Sequence, residues 1–107
     1  MILIQIVNKY KHKPTLNDIY IGRGSLLGNP FSHKENTKAL YKVDTVNESI
    51  EKYKIWLIEN FKNNKEIKNY ILSIKEDSEL SNINLVCFCK PKACHGDIIK
   101  DFIDNLE

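Results

Sequence analysis

The segment Leu85–Ile99, read as LVCFCKPKACHGDII, decides the fold. It begins in an apolar run of strand length, Asn84–Phe88, which Lys90-Pro91 interrupts because proline cannot donate to a strand ladder. Further along, apolar residues recur at helical spacing, at Ile98, Ile99, Phe102, Ile103 and Leu106. The pattern predicts a buried strand, a tight loop, and a helix whose N-terminus lies within Ala93–Asp97.

The start of this helix favours an anionic ligand. The first turn of a helix has N–H groups without intrahelical acceptors, and the helix dipole favours negative charge in front of them. Lys90 and Lys92 add positive charge nearby. We therefore expect a phosphate or carboxylate group to bind here, with Cys94, His95 and Gly96 beside it.

A second candidate site follows the short strand predicted over Asp18–Ile21. Gly22-Arg23-Gly24 comes directly after it, and Gly28 precedes Asn29-Pro30. Glycine permits positive φ and lets a ligand approach the backbone closely. The guanidinium of Arg23 can bind a phosphate or carboxylate in bidentate fashion. For Asn29 two roles stay open: contact with a base or ribose, or pinning of the turn before Pro30.

The rest of the chain predicts one more strand and two helices. Ile2–Val7 is an apolar run of strand length. Thr45 and Glu48 form a capping box, and the helix that they open is broken at Asn63-Asn64. A second helix is predicted over Lys65–Lys75. The resulting order is β, β, loop, α, α, β, α.

This order predicts one α/β domain over residues 1–107, a small Rossmann-like three-layer domain with a short, mostly parallel sheet and flanking helices. The second and third strands are joined through helices, as a parallel crossover requires. The loops after Ile21 and Phe88 would then emerge at the carboxyl edge of the sheet, where open α/β sheets bind ligands. The first two strands are joined without a helix, so an antiparallel pairing of those two is an alternative.

The composition limits the class of protein. The 107 residues carry a formal charge of +2, with 42% hydrophobic and 28% charged residues, which is ordinary for a globular protein. Three cysteines, two of them one residue apart, argue against a disulfide framework and for a reducing compartment. The first apolar run is too short for a signal peptide or a membrane span. We expect a cytoplasmic protein with no membrane partner.

Two blocks of the sequence resemble a known family. YIGRGSLLGNPF (Tyr20–Phe31) and VCFCKPKACHGDII (Val86–Ile99) are similar to the two signature blocks of a family of short bacterial and phage proteins, the domain of unknown function numbered four-three-two-six. Phe88 stands where that family typically has Trp. The family name carries no activity, so the resemblance implies the α/β fold and the positions of the site residues.

The preferred hypothesis is a domain that binds a nucleotide, or a nucleotide-derived phosphorylated ligand, at the carboxyl ends of the strands. In a phage setting such a binder would sequester a nucleotide signal. The two segments together supply the predicted ligand-binding residues, which are Gly22, Arg23, Gly24, Gly28, Asn29, Lys90, Cys94, His95, Gly96 and Asp97. His95 is expected to face the ligand because its sequence neighbours are polar.

Three alternatives stay open. In a hydrolase or transferase acting on a glycosidic or phosphoester bond, His95 and Asp97 would be the acid/base pair, although Asp97 can also serve only as a capping residue. In a zinc-stabilised interaction module, the ligands would be Cys87, Cys89, Cys94 and His95. Cys94 could also be a thiolate nucleophile, because a helix N-terminus lowers the pKa of a thiol. The near-neutral charge argues against a nucleic-acid partner.

Overall fold

Parallel strands and helices build the fold, which a computed structural model describes for residues 4–22, 25–32, 41–87 and 94–106. The strands are β1 (Ile4–Asn8), β2 (Asp18–Tyr20), β3 (Phe31–Ser32), β4 (Tyr41–Lys42) and β5 (Ile83–Cys87). The helices are α1 (Val46–Asn63), α2 (Lys65–Ser78) and α3 (His95–Asp104). No helix within these ranges is long and apolar enough to cross a bilayer.

Strand β5 is the centre of the main sheet, whose order is β1-β5-β2. Both neighbours run parallel to it, with Ile4 opposite Ile83 in one pair and Ile19 opposite Leu85 in the other. All five residues of β5 are buried, and four of them are apolar, as expected for a strand covered on both faces. The antiparallel alternative for β1 and β2 is wrong, because β5 lies between them. A second, two-stranded sheet pairs β3 with β4 in parallel.

The capping signals set the helix boundaries. Thr45 caps α1 by accepting a hydrogen bond from the amide of Glu48 (3.0 Å), and the Glu48 carboxylate accepts one from the amide of Asp44 (3.2 Å). Asn64 ends α1 and begins α2, and its side chain accepts from the amides of Glu66 and Ile67. Helix α2 continues past the predicted end at Lys75 as far as Ser78.

One apolar cluster joins the three helices to one face of the sheet. On β5, Ile83, Leu85 and Cys87 point into it, because alternate strand residues share a face. The helices contribute Tyr53, Leu57, Ile67, Ile71, Ile74, Ile99 and Ile103. The α/β class with a parallel sheet and flanking helices is thereby confirmed. The described helices form one layer on one face of the sheet, whereas the three-layer domain predicted from the sequence has helical layers on both. Within the described residues, the opposite face is contacted by the helix-free segment 9–17 that connects β1 with β2.

A chain of polar side chains crosses that opposite face. Gln5 donates to the Asn84 side-chain oxygen (2.8 Å), and Asn84 donates to the Asp18 carboxylate (3.1 Å), so the contacts span all three strands. The same carboxylate accepts hydrogen bonds from His12 Nε2 (2.9 Å) and from the amide and hydroxyl of Thr15 (3.1 and 2.9 Å). These bonds tie the connecting segment to the sheet.

The environment of Asp18 favours its charged form. Partial burial alone would raise the pKa of this carboxyl. Hydrogen bonds from the Thr15 amide, from His12 and from Asn84 outweigh that effect and hold the pKa of Asp18 well below its usual range. Asp18 therefore acts as an ionised acceptor that stabilises the folded chain at neutral pH.

We expect Asp18→Asn to lower the free energy of unfolding at neutral pH by on the order of 1 kcal/mol, because hydrogen bonds to a charged acceptor are lost. The folded pKa lies below the unfolded value of about 3.9, so the stabilisation is complete above that pH and is lost as the pH falls towards the folded pKa. Urea unfolding at about pH 7, 4 and 2.5 gives the free energies of unfolding of the wild type and of Asp18→Asn.

The difference in free energy of unfolding between wild type and Asp18→Asn should therefore shrink as the pH falls. A difference that stays constant with pH would contradict the role of Asp18 as an ionised acceptor. Asp104→Asn is the matched control. Asp104 forms an exposed pair with Lys100 four residues earlier on α3, and such pairs contribute at most about 0.5 kcal/mol.

Candidate functional site

The segment after β2 and the start of α3 meet at the carboxyl end of the sheet. The amide of Ile21 donates to the Val86 carbonyl (3.0 Å) and so extends the pairing of β2 with β5. The carbonyl of Ile21 accepts a hydrogen bond from His95 Nε2 (2.5 Å). This bond joins two segments 74 positions apart in the sequence and holds Gly22 beside the first turn of α3.

His95 lies inside the protein and not at its surface. Its Nε2 carries the proton, because the carbonyl that it contacts can only accept. Nδ1 lies 3.7 Å from the Cys94 sulfur, and the ring packs edge-on against Tyr53 with centroids 5.0 Å apart. From the sequence, His95 is expected to face a ligand. In the structure its ring is instead buried, and both of its nitrogens lie close to protein atoms.

Cys94 caps α3, so the helix begins within the predicted range. Its backbone is extended (φ −145°, ψ 148°), and its sulfur accepts a hydrogen bond from the amide of Gly96 at 3.4 Å. The amide of Asp97 donates to the Cys94 carbonyl (3.1 Å). Cys94 is buried, whereas Asp97 is half-buried in the first turn, where the helix dipole favours a carboxylate.

Two glycines, Gly96 and Gly28, allow close packing at this end of the sheet. A Cβ on Gly96 would lie 2.9 Å from the Ile21 side chain and 3.0 Å from that of Ile6, because the start of α3 presses on the ends of β1 and β2. A Cβ on Gly28 would lie 2.6 Å from the carbonyl oxygen of Gly22. Gly28 does not adopt the left-handed backbone that the sequence had allowed for there.

Hydrogen bonds join Gly22, Ser25 and Gly28 after the end of β2. The amide and hydroxyl of Ser25 both donate to the Gly22 carbonyl (3.1 and 2.6 Å), and the amide of Gly28 donates to the Ser25 carbonyl (3.0 Å). The Tyr20 ring lies directly against Gly22, where a Cβ would overlap it. Gly22 is therefore in contact with both the Tyr20 ring and Ser25.

Helix α1 fixes the segment that leads into β3, through hydrogen bonds to Leu27, Asn29 and Phe31. Asn29 donates to the Ser49 hydroxyl (2.8 Å) and accepts from the amide of Phe31 (2.9 Å), while Ser49 donates to the Phe31 carbonyl (3.0 Å). Tyr53 donates its hydroxyl proton to the Leu27 carbonyl (2.6 Å). The Asn29 amide is used inside the protein, which favours its turn-pinning role over contact with a base or ribose.

Tyr53 and Ser49 are structural parts of the site that sequence reasoning missed. Burial, and secondly the charge that Cys94 would carry as a thiolate, raise the pKa of Tyr53 far above its usual value. Its phenol therefore stays protonated and donates. The sequence did carry a signal for them, because Ser49 and Tyr53 stand four positions apart on the buried face of α1. A buried Tyr hydroxyl needs an acceptor, which implies a partner segment packed against that face.

Lys9 and Tyr20 bring a cation and an aromatic ring to the same end of the sheet. The Lys9 ammonium lies 5.4 Å from the centroid of the Tyr20 ring, and the Lys9 amide donates to the Cys87 carbonyl (2.8 Å). The Tyr20 side chain is 38% exposed. Sequence reasoning missed this pair too, although each residue stands at the carboxyl end of a predicted strand.

Several predicted site residues lie outside the described part of the chain, namely Arg23, Gly24, Cys89, Lys90 and Lys92. Within the described ranges, no three His, Cys, Asp or Glu side chains are grouped closely enough to hold a metal ion. The described part of the predicted zinc set comprises Cys87, Cys94 and His95, all buried.

Nearly the whole chain is similar in sequence to known proteins. The model of the family described as "Domain of unknown function (DUF4326)" matches residues 4–105. The chain is also 31% identical over 104 residues to the "Uncharacterized 12.4 kDa protein in nrdA-td intergenic region" of Enterobacteria phage T4, across 97% of this chain and 81% of the phage protein. No solved structure matches. The family resemblance drawn from the two sequence blocks is confirmed, and a phage relative accords with it.

We expect Gly28→Ala to destabilise the chain by about 2 kcal/mol or more, because the new Cβ meets backbone that cannot move alone. Gly96→Ala should cost less than about 1 kcal/mol. There the obstacles are flexible isoleucine side chains, and Ala gains up to about 1 kcal/mol over Gly in a helix. Urea denaturation of both variants gives the two free energies, and equal or inverted losses would contradict this packing.

Proposed function

We propose that this chain, which belongs to the DUF4326 family, binds a small phosphorylated ligand of the nucleotide type at the carboxyl end of its sheet. The hydrogen bond from His95 to the Ile21 carbonyl carries the proposal. It holds Ile21 and the adjacent Gly22 against the start of α3, at the end of a parallel sheet where α/β proteins bind ligands.

The anionic part of the ligand is assigned to the start of α3. The dipole of this ten-residue helix favours negative charge there. Lys9 follows β1 at the same end of the sheet. Arg23 follows Gly22 in the sequence, and Lys90 follows β5 by three positions, so both are available to add positive charge. A phosphate is the group that matches several cations and a helix N-terminus together.

We assign the Tyr20 ring as the surface on which the base of the ligand stacks. Its partly exposed ring stands at the end of β2, directly against Gly22. An aromatic ring beside a phosphate site suits a nucleobase, because every base has a face that can stack. His95 then supports the site from inside by fixing the Ile21 carbonyl.

We favour binding over turnover. The acid/base role suggested for His95 needs a ring nitrogen within reach of a substrate proton. In the structure Nε2 is engaged by the Ile21 carbonyl, and Nδ1 faces the Cys94 sulfur. A protein that binds without turnover would sequester its nucleotide.

Thermal unfolding in the presence of nucleoside mono-, di- and triphosphates and ADP-ribose tests the proposal. A ligand present at about 100 times its Kd adds about 2.7 kcal/mol of stability. For a chain of this size that corresponds to a rise in Tm of roughly 10 °C or more. We expect at least one of these compounds to raise Tm, and the rise to fall in Arg23→Ala and Lys9→Ala.

Lys54→Ala is the matched control, because Lys54 is exposed on α1 and outside the site. It should keep the full rise in Tm. The absence of a rise with every compound, or an unchanged rise in both site variants, would count against the proposal. Conversion of the bound compound to a product that Asp97→Asn abolishes while retaining binding would instead support the hydrolase or transferase alternative.

A second candidate function is a metal-stabilised interaction module. The Cys94 sulfur and His95 Nδ1 lie 3.7 Å apart, a separation that two ligands of one tetrahedral zinc ion can span. The other nitrogen of His95 donates to a backbone carbonyl, the arrangement usual for metal-bound histidine. Cys89 is the further donor that the sequence offers, because Cys87 is not grouped with Cys94 and His95 closely enough to share a metal ion with them.

Metal analysis of the purified protein separates this candidate from the first. About one zinc per chain, lost in Cys94→Ser and retained in the α3 control Lys100→Ala, would support it. A zinc content near zero after purification in zinc-supplemented medium would rule the module out and leave the Cys94–His95 contact as a thiol–imidazole hydrogen bond.

A further inference from the structure

A groove at the amino end of the sheet lies at the opposite end from the proposed ligand site. It runs between residues 16–19, which lead into β2, and residues 77–83, which join α2 to β5. We propose that this groove docks a segment of a partner protein in which an aliphatic side chain stands next to Lys or Arg.

The apolar part of the groove supplies the aliphatic subsite. Ile19 and Ile83, whose side chains belong to or pack on the core cluster, line its inner part. Leu16 and Leu80 line it as well, with relative exposures of 105% and 83%. Isolated exposed leucines are common on proteins, but here two of them stand beside two isoleucines in one groove, and apolar groups collected in this way, rimmed by polar residues, mark interaction surfaces.

The charged part of the groove selects a cation. Asp77 lines it, Glu76 lies beside Asp77 in the last turn of α2, and Glu79 is the C-cap of that helix. Asp18 also lines the groove and adds negative charge, while its oxygens accept hydrogen bonds from His12, Thr15 and Asn84. Lys75 lies 4.0 Å from Glu79 and balances one of these charges. The C-terminal end of α2 adds the negative end of its dipole. Carboxylates and a helix C-terminus together complement Lys or Arg beside the aliphatic anchor.

The size of the groove favours a protein segment over a small-molecule ligand. Its volume is about 250 Å³, below the roughly 300–1,000 Å³ typical of small-molecule sites. One or two side chains fill such a space. A short peptide can place one side chain between the leucines and direct the next towards the carboxylates.

Amide NMR spectra recorded during titration with acetyl-Lys-Leu-Lys-amide test the proposal. We expect saturable shifts confined to residues 16–19 and 77–83, with a Kd on the order of 1 mM, since a three-residue contact is small. Leu80→Ser and Asp77→Asn should each weaken binding about fivefold. Leu72→Ser on the exposed part of α2 and Asp101→Asn on α3 are the matched controls and should leave the Kd unchanged.

Four outcomes would overturn the docking proposal. The first is the absence of saturable shifts in the groove, and the second is equal binding of acetyl-Lys-Ser-Lys-amide, which would leave a charge effect only. Equal shifts with free lysine would indicate a site for small cations. Shifts of the same amides on raising the protein concentration alone would indicate a second copy of this chain as the occupant.

Discussion

The parallel backbone pairing of β5 on both of its edges is the constraint on which the rest of the structure depends. Strands β1 and β2 do not pair with each other, so each is held in the sheet by β5. The same pairing places the ends of all three strands at one edge, where the Ile21 carbonyl meets His95 and α3 begins. The proposed ligand site is a consequence of this strand order.

The two faces of the sheet are stabilised differently. On one face, three helices bury a continuous apolar cluster. On the other, Asp18 and Asn84 organise hydrogen bonds that hold a segment without regular structure. A helix-free connection between parallel strands has no apolar stripe to bury, so side-chain hydrogen bonds supply its attachment. The groove that we propose as a docking surface begins where this connection enters β2.

Local signals in the sequence were reliable where short-range physics decides the structure. The capping box at Thr45, the break at Asn64 and the start of α3 follow from hydrogen bonds within a few residues. The position of β1 and the burial of His95 could not be predicted in this way. Both depend on partners more than 70 positions away, and a histidine among polar neighbours gives no local sign that a distant carbonyl will accept its proton.

The central strand β5 follows both of its neighbours, β1 and β2, in the chain, and this order has a consequence for synthesis on the ribosome. The first two strands of the sheet have no partner in it until residues 83–87 leave the exit tunnel. The two consecutive helices α1 and α2 can dock on each other earlier, because their contacts are close in sequence. The nascent chain therefore carries unpaired strand edges until β5 has emerged, and that interval is when it is most exposed to misassembly.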